Sequence, residues 1–286
     1  MKKSLSSQLA NLNESQAAIF LGDLHSGGLT SPLPANLIKT NKGALISPTP
    51  LQNKITQIFG ETTKDALATV KRMKFSLILM GDLIEGHHHH NDLEIISADE
   101  GIHVKLAVKL LEPIAKAAHD SGGEVLVIRG TPCHVGDYET LIGEQLKAIK
   151  NPDSEEYSFD EVRTPIYGCM CDFKHHMPTT SRAYLEGGAL SIVMGNQTLN
   201  DSRDGVKIAK LFARAHRHVE GLYSNGRQKI FVTSSYQAKT PHGWKVVGES
   251  GTRLGCATAV WNTYSHLPFV DFHSRTLITH EGRIAA

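Results

Sequence analysis

Three short apolar runs, each followed by polar residues, stand out in the first half of the chain. They cover residues 17–22, 75–80 and 125–128, and an aspartate or a histidine follows each within a few residues. Apolar runs of this length are typical of strands that are buried on both faces of a parallel sheet. Because open α/β sheets bind ligands beyond the carboxyl ends of their strands, we expect these polar side chains to meet in space.

Helical spacing of apolar residues fills the segments between these runs. It predicts a helix over residues 51–70 and a second over 102–118, in which Pro113 predicts a kink or a late break. A further helix is expected over residues 138–149. Strands and helices therefore alternate, which favours a parallel core with right-handed crossovers.

Beyond Pro165 the pattern changes to short strands joined by turns. One helix is expected at about residues 182–194, before a link rich in Gly, Asn and Asp, and Ser224-Asn225-Gly226 is typical of a hairpin turn. The candidate strands cover residues 166–173, 211–215, 229–233, 244–247 and 258–261.

The composition is that of a globular protein with a packed core, since 40% of the 286 residues are hydrophobic and 21% are charged. The halves are joined without a linker of disordered composition or an internal repeat. We therefore predict a single domain over residues 1–286, with an insertion at about 26–73. The long loop at the start of this insertion directly follows a polar turn, a place where long loops are often functional.

Charge and cysteine content restrict the partners and the compartment. The formal net charge is +1, so a nucleic-acid substrate would have to bind a local basic groove. The four cysteines, Cys133, Cys169, Cys171 and Cys256, form neither a zinc hairpin nor a disulfide framework. Neither a membrane-spanning stretch nor a secretory signal is recognisable, so we expect a cytoplasmic protein without a membrane partner. The pattern leaves the oligomeric state open.

Histidine is the compositional outlier, with 16 residues in the chain. Residues two apart share a strand face, so Asp23 with His25, and His216 with His218, can each present two ligands to one side. Imidazole and carboxylate together suit Zn, Mn, Fe or Ni. An isolated pair is usually structural, but such groups at several strand ends in one chain predict a metal site. The candidate ligands are Asp23, His25, Asp82, His175, His216 and His218.

The order of these groups along the chain is similar to the signature of a known protein family. The segments are Gly22–His25, Gly81–Asp82, Gly130–His134, His175 and Ala215–His218. This order resembles the calcineurin-like metallophosphoesterase superfamily, whose signature runs D-x-H, G-D, G-N-H-D/E, a histidine and G-H-x-H. The resemblance implies an α/β (α+β) fold, a four-layer β-sandwich of two mixed sheets flanked by helices. It also implies a site with two divalent metal ions (Mn, Zn, Fe or Ni).

The resemblance further implies a role for each ligand. The first metal would be held by Asp23, His25 and His218, the second by His175 and His216, with Asp82 bridging them. Two departures from the family pattern stand out. The last block has Ala215 where the family often has Gly, and the third block reads G-T-P-C-H, which resembles G-T-x-x-H variants of phage and prophage members. The metal-binding Asn of the family becomes Thr131, and the catalytic His is displaced to His134. If His134 is the equivalent of that His, it either contacts the scissile phosphate or protonates the leaving group. The other choice is that it replaces the Asn as a ligand of the second metal.

Three choices stay open at this stage. His175 and His176 point to opposite faces if they lie in a strand, so only one should reach the metals, and we favour His175. Glu85 either orients a ligand or is an ordinary solvated acid. The run His87–His90 either lines the rim of the site or is a surface cluster that binds stray metal. A third interpretation is a rival H-x-H-x-D motif, typical of metallo-β-lactamases, with His88, His90 and Asp92 as ligands.

The expected function is the hydrolysis of phosphoester bonds by a two-metal-activated hydroxide. The long insertion after His25 suggests a shaped substrate groove and favours phosphodiester, nucleic-acid or nucleotide substrates. Arg129, Arg214 and Arg217 either neutralise such a backbone or pair with acidic side chains, and pairing is the more common role. The alternative is a non-catalytic metal-binding or phosphate-binding accessory protein of phage type, which Thr131 favours because a neutral hydroxyl is a poorer ligand.

Overall fold

The computed structural model describes residues 5–34, 38–39, 43, 45–88, 91–151, 153–178, 186–240 and 252–277. The helices are α1 (Leu5–Asn13), α2 (Pro50–Thr69), α3 (Glu100–Asp120), α4 (Pro132–Val135), α5 (Tyr138–Gln145) and α6 (Glu186–Arg203). The strands are β1 (Ala17–Leu21), β2 (Ile38–Lys39), β3 (Leu45–Ile46), β4 (Phe75–Leu79), β5 (Val125–Val127), β6 (Glu161–Ile166), β7 (Cys169–Lys174), β8 (Leu211–Arg214), β9 (Gly221–Ser224), β10 (Lys229–Val232), β11 (Arg253–Val260) and β12 (Phe269–Thr276).

Ten of these strands form two five-stranded mixed sheets, and β2 and β3 form a separate short pair. The first sheet has the order β12-β11-β1-β4-β5, in which β1, β4 and β5 are parallel neighbours. The second has the order β6-β7-β8-β10-β9, in which β7, β8 and β10 are parallel neighbours. The apolar runs of the sequence thus lie side by side, as predicted.

Alternating side chains of β1 supply two different cores. Ala18 and Phe20 face the second sheet, where the ring of Phe20 lies 5.6 Å from that of Phe173 and 5.0 Å from that of Phe231. Ile19 faces the opposite way and packs among the buried residues of α2 and α3. Both faces of this strand are therefore buried, which explains why its apolar run shows no polar alternation.

The outer face of the second sheet is covered by α6. Leu190 and Met194 of this helix pack against Phe212 and Ile230 of the strands. The layers are therefore helix, sheet, sheet and helix. The predicted fold class, a four-layer sandwich of two mixed sheets flanked by helices, is confirmed.

Two predicted helices are present, and one of them continues further than its sequence suggests. α2 begins with a capping box in which Thr49 and Gln52 exchange hydrogen bonds. α3 contains the whole predicted range 102–118 and runs through Pro113 to Asp120, so the helix does not break at the proline. Leu111 and Ile114 on either side of the proline are buried in the core, and this packing outweighs the lost hydrogen bond.

Other boundaries differ from the predictions. Residues 166–173 are a hairpin rather than one strand, because Tyr167 and Gly168 adopt positive φ angles of 49° and 73° between β6 and β7. The helix expected over 138–149 ends at Gln145, and the last helix continues to Arg203 instead of ending near Met194. The predicted strand at 244–247 and helix residues 182–185 lie outside the described residues. The expected turn at Ser224 does join β9 to β10.

Cysteine burial agrees with a structural role for most of the thiols. All four cysteines are free, and only Cys133 is exposed. Among the described helices, none combines the length and the apolar character required to cross a membrane. The division of the chain into one domain with an insertion remains a prediction.

Candidate metal centre

The candidate ligands lie in loops at the carboxyl ends of strands from both sheets. Asp23 and His25 follow β1, and Asp82 follows β4, its parallel neighbour. From the second sheet, His175 follows β7, and the segment from His216 to His218 follows β8, its parallel neighbour. Parallel neighbours end at the same edge of a sheet, so the fold brings these distant parts of the sequence together.

Backbone conformation sets these residues apart from the rest of the chain. Of the nine non-glycine residues recorded with positive φ in the described chain, five are candidate ligands. They are Asp23 (47°), His25 (46°), Asp82 (49°), His216 (73°) and His218 (56°). Each such residue costs about 1–3 kcal/mol and persists only where the surroundings enforce it. Strain concentrated at one set of polar side chains points to a functional site.

The first group consists of Asp23, His25 and His218, whose ligand atoms all lie within 4.8 Å of one another. Asp23 is fully buried, and its Oδ2 accepts a hydrogen bond from the backbone N–H of His216 at 3.0 Å. His218 Nε2 lies 3.5 Å from Asp23 Oδ1 and 3.2 Å from His25 Nε2. Within the described chain, Asp23 Oδ1 has no hydrogen-bond partner. A buried carboxylate oxygen that accepts no hydrogen bond is costly, and a bound cation would offset this cost.

The second group consists of His175, His176 and His216, again with ligand atoms within 4.8 Å. Nδ1 of His175 donates to the carbonyl of Met80 at 2.6 Å, which leaves Nε2 as its ligand nitrogen. The ring of exposed His176 lies 4.7 Å from that of His216. Both members of the pair thus reach the cluster, and the expectation that only His175 binds a metal stays a prediction. His175 comes after the last residue of β7, so strand alternation does not separate them.

Asp82 lies between the two groups. Its Oδ2 is 3.1 Å from His175 Nε2, 4.0 Å from His216 Nδ1 and 4.0 Å from His25 Nε2. The carboxylate is buried, and burial alone would raise its pKa. The surrounding histidines, His175 foremost, outweigh burial and hold the pKa of Asp82 well below its usual range. A single charged oxygen therefore faces both groups.

The electrostatics of the cluster call for positive charge. Burial disfavours protonation of His25, yet Glu85, Asp82 and Asp23 outweigh it and raise the pKa of His25 to about 9. Burial likewise opposes protonation of His175, but Asp82 and Asp23 raise its pKa to about 10. The carboxylates thus favour the protonated, positively charged form of both rings. Bound cations can replace these protons and supply the positive charge instead. Together with the N and O donor set and the Asp23 oxygen that accepts no hydrogen bond from the described residues, this fits divalent metal ions.

Thr131 lies on the side of the second group. Its N–H donates to Asp82 Oδ1 at 2.6 Å, and its hydroxyl donates to Asp82 Oδ2 at 3.1 Å. The same hydroxyl oxygen is 3.4 Å from His175 Nε2 and 3.3 Å from His216 Nδ1. Of Thr131 and His134, the structure therefore brings Thr131 to the second group.

His134 lies on the other side, next to the first group. Its ring centroid is 4.9 Å from that of His25 and 4.1 Å from that of His88. Nδ1 of His134 lies 3.0 Å from the carbonyl oxygen of Glu85, to which it donates its hydrogen. This contact leaves the other ring nitrogen, Nε2, for a different partner. His134 also forms a group of potential metal ligands with His25 and Glu85, whose ligand atoms lie within 4.8 Å of one another.

Glu85 is buried and contacts a candidate ligand, so it is not a solvated loop acid. Its Oε2 lies 2.9 Å from His25 Nδ1 and accepts a hydrogen bond from Gln237 at 2.6 Å. Its Oε1 lies 3.4 Å from His88 Nε2. Burial of Glu85 would raise its pKa, but the neighbouring His25 outweighs burial and holds the pKa of Glu85 well below the usual range. A carboxylate that fixes the ring of a ligating histidine is a common partner in metal sites.

Glu139 was missed by the sequence analysis. This fully buried carboxylate in α5 accepts hydrogen bonds from the backbone N–H groups of Gly130 at 2.7 Å and Leu83 at 3.1 Å. Burial, and next the charge of Asp82, raise the pKa of Glu139 to about 7. Glu139 thus joins the loops that follow β4 and β5. As the second residue of a helix it looks like an ordinary acidic residue in the first turn, so the sequence does not indicate this role.

These two loops approach so closely that they require glycine. A Cβ atom on Gly130 would lie 2.2 Å from the backbone nitrogen of Asp82. Gly81, at φ +89°, would place a Cβ 2.6 Å from Cα of Gly130. The glycines of the G-D and G-T blocks thus allow the backbones to meet and position Asp82 and Thr131.

The rival histidine motif gains no support from the described residues. Asp92 is largely exposed and pairs with His87 Nε2 at 2.8 Å. Neither His88 nor Asp92 belongs to a described group of potential metal ligands, and His90 lies outside the described residues. His88 instead lies beside His134, at the rim of the first group.

Two of the arginines considered for substrate binding pair with acidic side chains. Arg129 binds Glu156 at 2.6 Å, and Arg214 binds Asp172 at 2.6 Å. The structural role expected for them is thus confirmed. Arg217 is buried close to the site.

Comparisons with known proteins give structural neighbours only. No family model and no curated protein matches the sequence. A predicted phosphoesterase from Streptococcus pneumoniae is 12% identical over 92% of this chain and 97% of its own, with a TM-score of 0.37. A novel archaeal phosphodiesterase is 10% identical over 90% and 99%, with a TM-score of 0.40. Vps29 from Entamoeba histolytica, in complex with zinc, is 9% identical over 91% and 98%, with a TM-score of 0.40. These likenesses are too low to support a statement about activity.

Proposed function

We propose that this chain is a metal-dependent phosphoesterase of the calcineurin-like type, which uses two divalent cations. The observation that carries the proposal is the position of Asp82 Oδ2, within 4.0 Å of histidine nitrogens from both groups. Two separate ligand groups that share one carboxylate oxygen are what a two-metal hydrolytic site requires.

The ligand assignment follows the two groups. Asp23, His25 and His218 would hold the first cation, His175 and His216 the second, and Asp82 both. The exposed His176 and the hydroxyl of Thr131 are additional donors on the second side. Mn, Zn, Fe and Ni all suit this set of imidazoles and carboxylates.

Bound cations would supply charge stabilisation at the phosphoryl oxygens and lower the pKa of a water to about 7. The side chains prepare the site for this chemistry. Glu85 fixes the ring of His25 so that Nε2 faces Asp82 and His218. The carbonyl of Glu85 fixes His134, whose Nε2 would exchange a proton with the leaving group or bind the phosphate.

The central test is hydrolysis of bis-p-nitrophenyl phosphate with Mn, Zn, Fe or Ni, combined with elemental analysis of the protein. We expect two metal equivalents per chain and turnover that Asp82→Asn abolishes without unfolding the protein. Asp153→Asn, at an exposed turn, is the matched control and should keep full activity. Near-normal turnover by Asp82→Asn would contradict the bridging role.

One observation favours a second candidate, a non-catalytic metal-binding or phosphate-binding module. Thr131 offers a neutral hydroxyl on the side of the second group, where the family has an Asn. A weaker second site would leave one cation bound and would impair hydrolysis. One metal per chain or none, with no turnover in Mn, Ni or Zn, would favour the module.

A further inference from the structure

A groove of about 560 Å³ opens directly beside the second histidine group. His176 and His216 line one end of it, and His216 Nδ1 lies 4.0 Å from Asp82 Oδ2. A molecule whose phosphate reaches the proposed metal centre therefore extends naturally into this groove. Its volume is within the range of pockets that bind small organic ligands.

One wall of the groove is a single face of α6. Val193, Asn196, Gln197 and Asn200 line it, at helical intervals of three and four. Asn196 and Asn200 are exposed to the groove, and the amide of Gln197 is fixed by a hydrogen bond to Asp201 at 2.9 Å. Each carboxamide offers both donors and an acceptor, so this wall suits a ligand with several neutral polar groups.

The remaining lining is apolar or basic. Met177 and Pro178 add apolar surface, while Lys174 and Arg214 add positive charge. The guanidinium of Arg214 is held by Asp172, and Lys174 is about half exposed. Lys174 also lies 3.5 Å from Glu161, so both cations have acidic partners, but neither Asp172 nor Glu161 lines the described part of the groove.

We propose that this groove holds the nucleoside part of a nucleotide-containing phosphodiester, with the phosphate at the end formed by His176 and His216. This assignment rests on the proposed function and specifies its substrate class. Asn and Gln side chains bind the edges of bases through paired donors and acceptors, and apolar side chains contact the flat base. A nucleoside presents such edges together with sugar hydroxyls.

The length of the wall favours a nucleoside over a peptide. Val193 and Asn200 are seven residues apart, which corresponds to about 10 Å along the helix. An extended peptide covers this distance with only about three residues. A phosphopeptide would therefore extend beyond the carboxamides, whereas one nucleoside fits alongside them.

The test is calorimetric binding of thymidine monophosphate in the presence of Mn, with inorganic phosphate as the reference ligand. The double variant Asn196→Ala/Asn200→Ala removes two carboxamides and keeps residues that favour a helix. We expect it to bind thymidine monophosphate about tenfold or more weakly, as the loss of two hydrogen bonds implies, with phosphate affinity unchanged. Leu199→Ala, at an exposed position of α6 outside the groove, is the control and should bind both ligands normally.

Two outcomes would overturn the groove assignment. One is equal affinity of the double variant and the unmodified chain for thymidine monophosphate. The other is a similar loss for thymidine monophosphate, phosphate and a phosphoserine peptide, which would show a general effect on the site. Absence of bis-p-nitrophenyl phosphate hydrolysis with every metal would instead contradict the proposed function, and the calorimetric comparison would still decide the groove.

Discussion

Oε2 of Glu85 lies 2.9 Å from Nδ1 of His25, and both side chains are buried. This contact fixes the histidine ring so that its other nitrogen faces the first metal group. Carboxylates in this position raise the basicity of the ligating nitrogen and prevent rotation of the ring. In the proposed metal centre, Glu85 would therefore act mainly through His25, although it also belongs to a group of potential ligands with His25 and His134.

Replacement of Glu85 by Gln should weaken binding of the first cation by about 10–100-fold, the usual effect of losing such a partner. Titration of chelator-treated protein with Zn, followed by competition with a chromophoric chelator, measures this. Glu61→Gln, on the exposed side of α2, is the control. Unchanged affinity in Glu85→Gln would mean that the contact plays no part in metal binding.

His134 should act on the reaction and not on metal content. We expect His134→Ala to lower kcat by about 100-fold or more while the protein keeps both metals, since its ring nitrogen Nε2 is left for the substrate. His119→Ala, where the histidine contacts the carbonyl of Leu146 away from the site, provides the control. Loss of one metal per chain in His134→Ala would identify His134 as a ligand.

Glu139 should stabilise the site through the two loops that it joins. Glu139→Ala leaves the buried N–H groups of Gly130 and Leu83 without their acceptor, at a cost of about 1–3 kcal/mol for each buried group. Urea unfolding should show this loss, and kcat should fall because Asp82 and Thr131 shift. Glu144→Ala, in the last turn of the same helix and exposed, should change neither quantity. Wild-type stability of Glu139→Ala would exclude this role.

The stability of the metal-free protein should depend on pH through two histidines. The pKa values of His25 and His175 are raised from 6.5 to about 9 and about 10. A raised pKa adds stability that is complete below pH 6.5 and is lost as the pH rises through the folded-state value. The Tm of chelator-treated protein should therefore fall between neutral pH and pH 10, while metal-loaded protein should show a smaller fall. Parallel Tm curves with and without metal would contradict this.

Protons held on these rings must also leave when cations bind. Apparent metal affinity should consequently rise with pH, by about tenfold per pH unit for each proton displaced. Competition titrations at several pH values measure this slope. A flat profile between pH 6.5 and 9 would show that the ligating histidines are already neutral in the metal-free protein.

The sequence predicts the part of this site that depends on strand ends. A buried run followed by a polar residue indicates a strand of a parallel sheet, and the alignment of β1, β4 and β5 brings Asp23, Asp82 and Thr131 to one edge. The left-handed conformation of Asp23 and Asp82 has no comparable signal. It depends on the close approach of two loops, which only the folded chain shows.

Partners contributed by tertiary contact were beyond the reach of the sequence pattern. Gln237 lies 152 residues from Glu85 in the sequence, and no periodic feature connects them. The helical groove face was also missed, because Asn196 and Asn200 are typical of a polar link. Packing of Leu190 and Met194 on the second sheet stabilises α6 despite this composition.

The most direct test of the two-metal account is anomalous diffraction from crystals of the Mn-loaded protein. The account predicts two anomalous peaks on either side of the Asp82 carboxylate, one contacted by Asp23, His25 and His218 and the other by His175 and His216. A single peak, or peaks at His88 and Asp92 with none at Asp82, would contradict it.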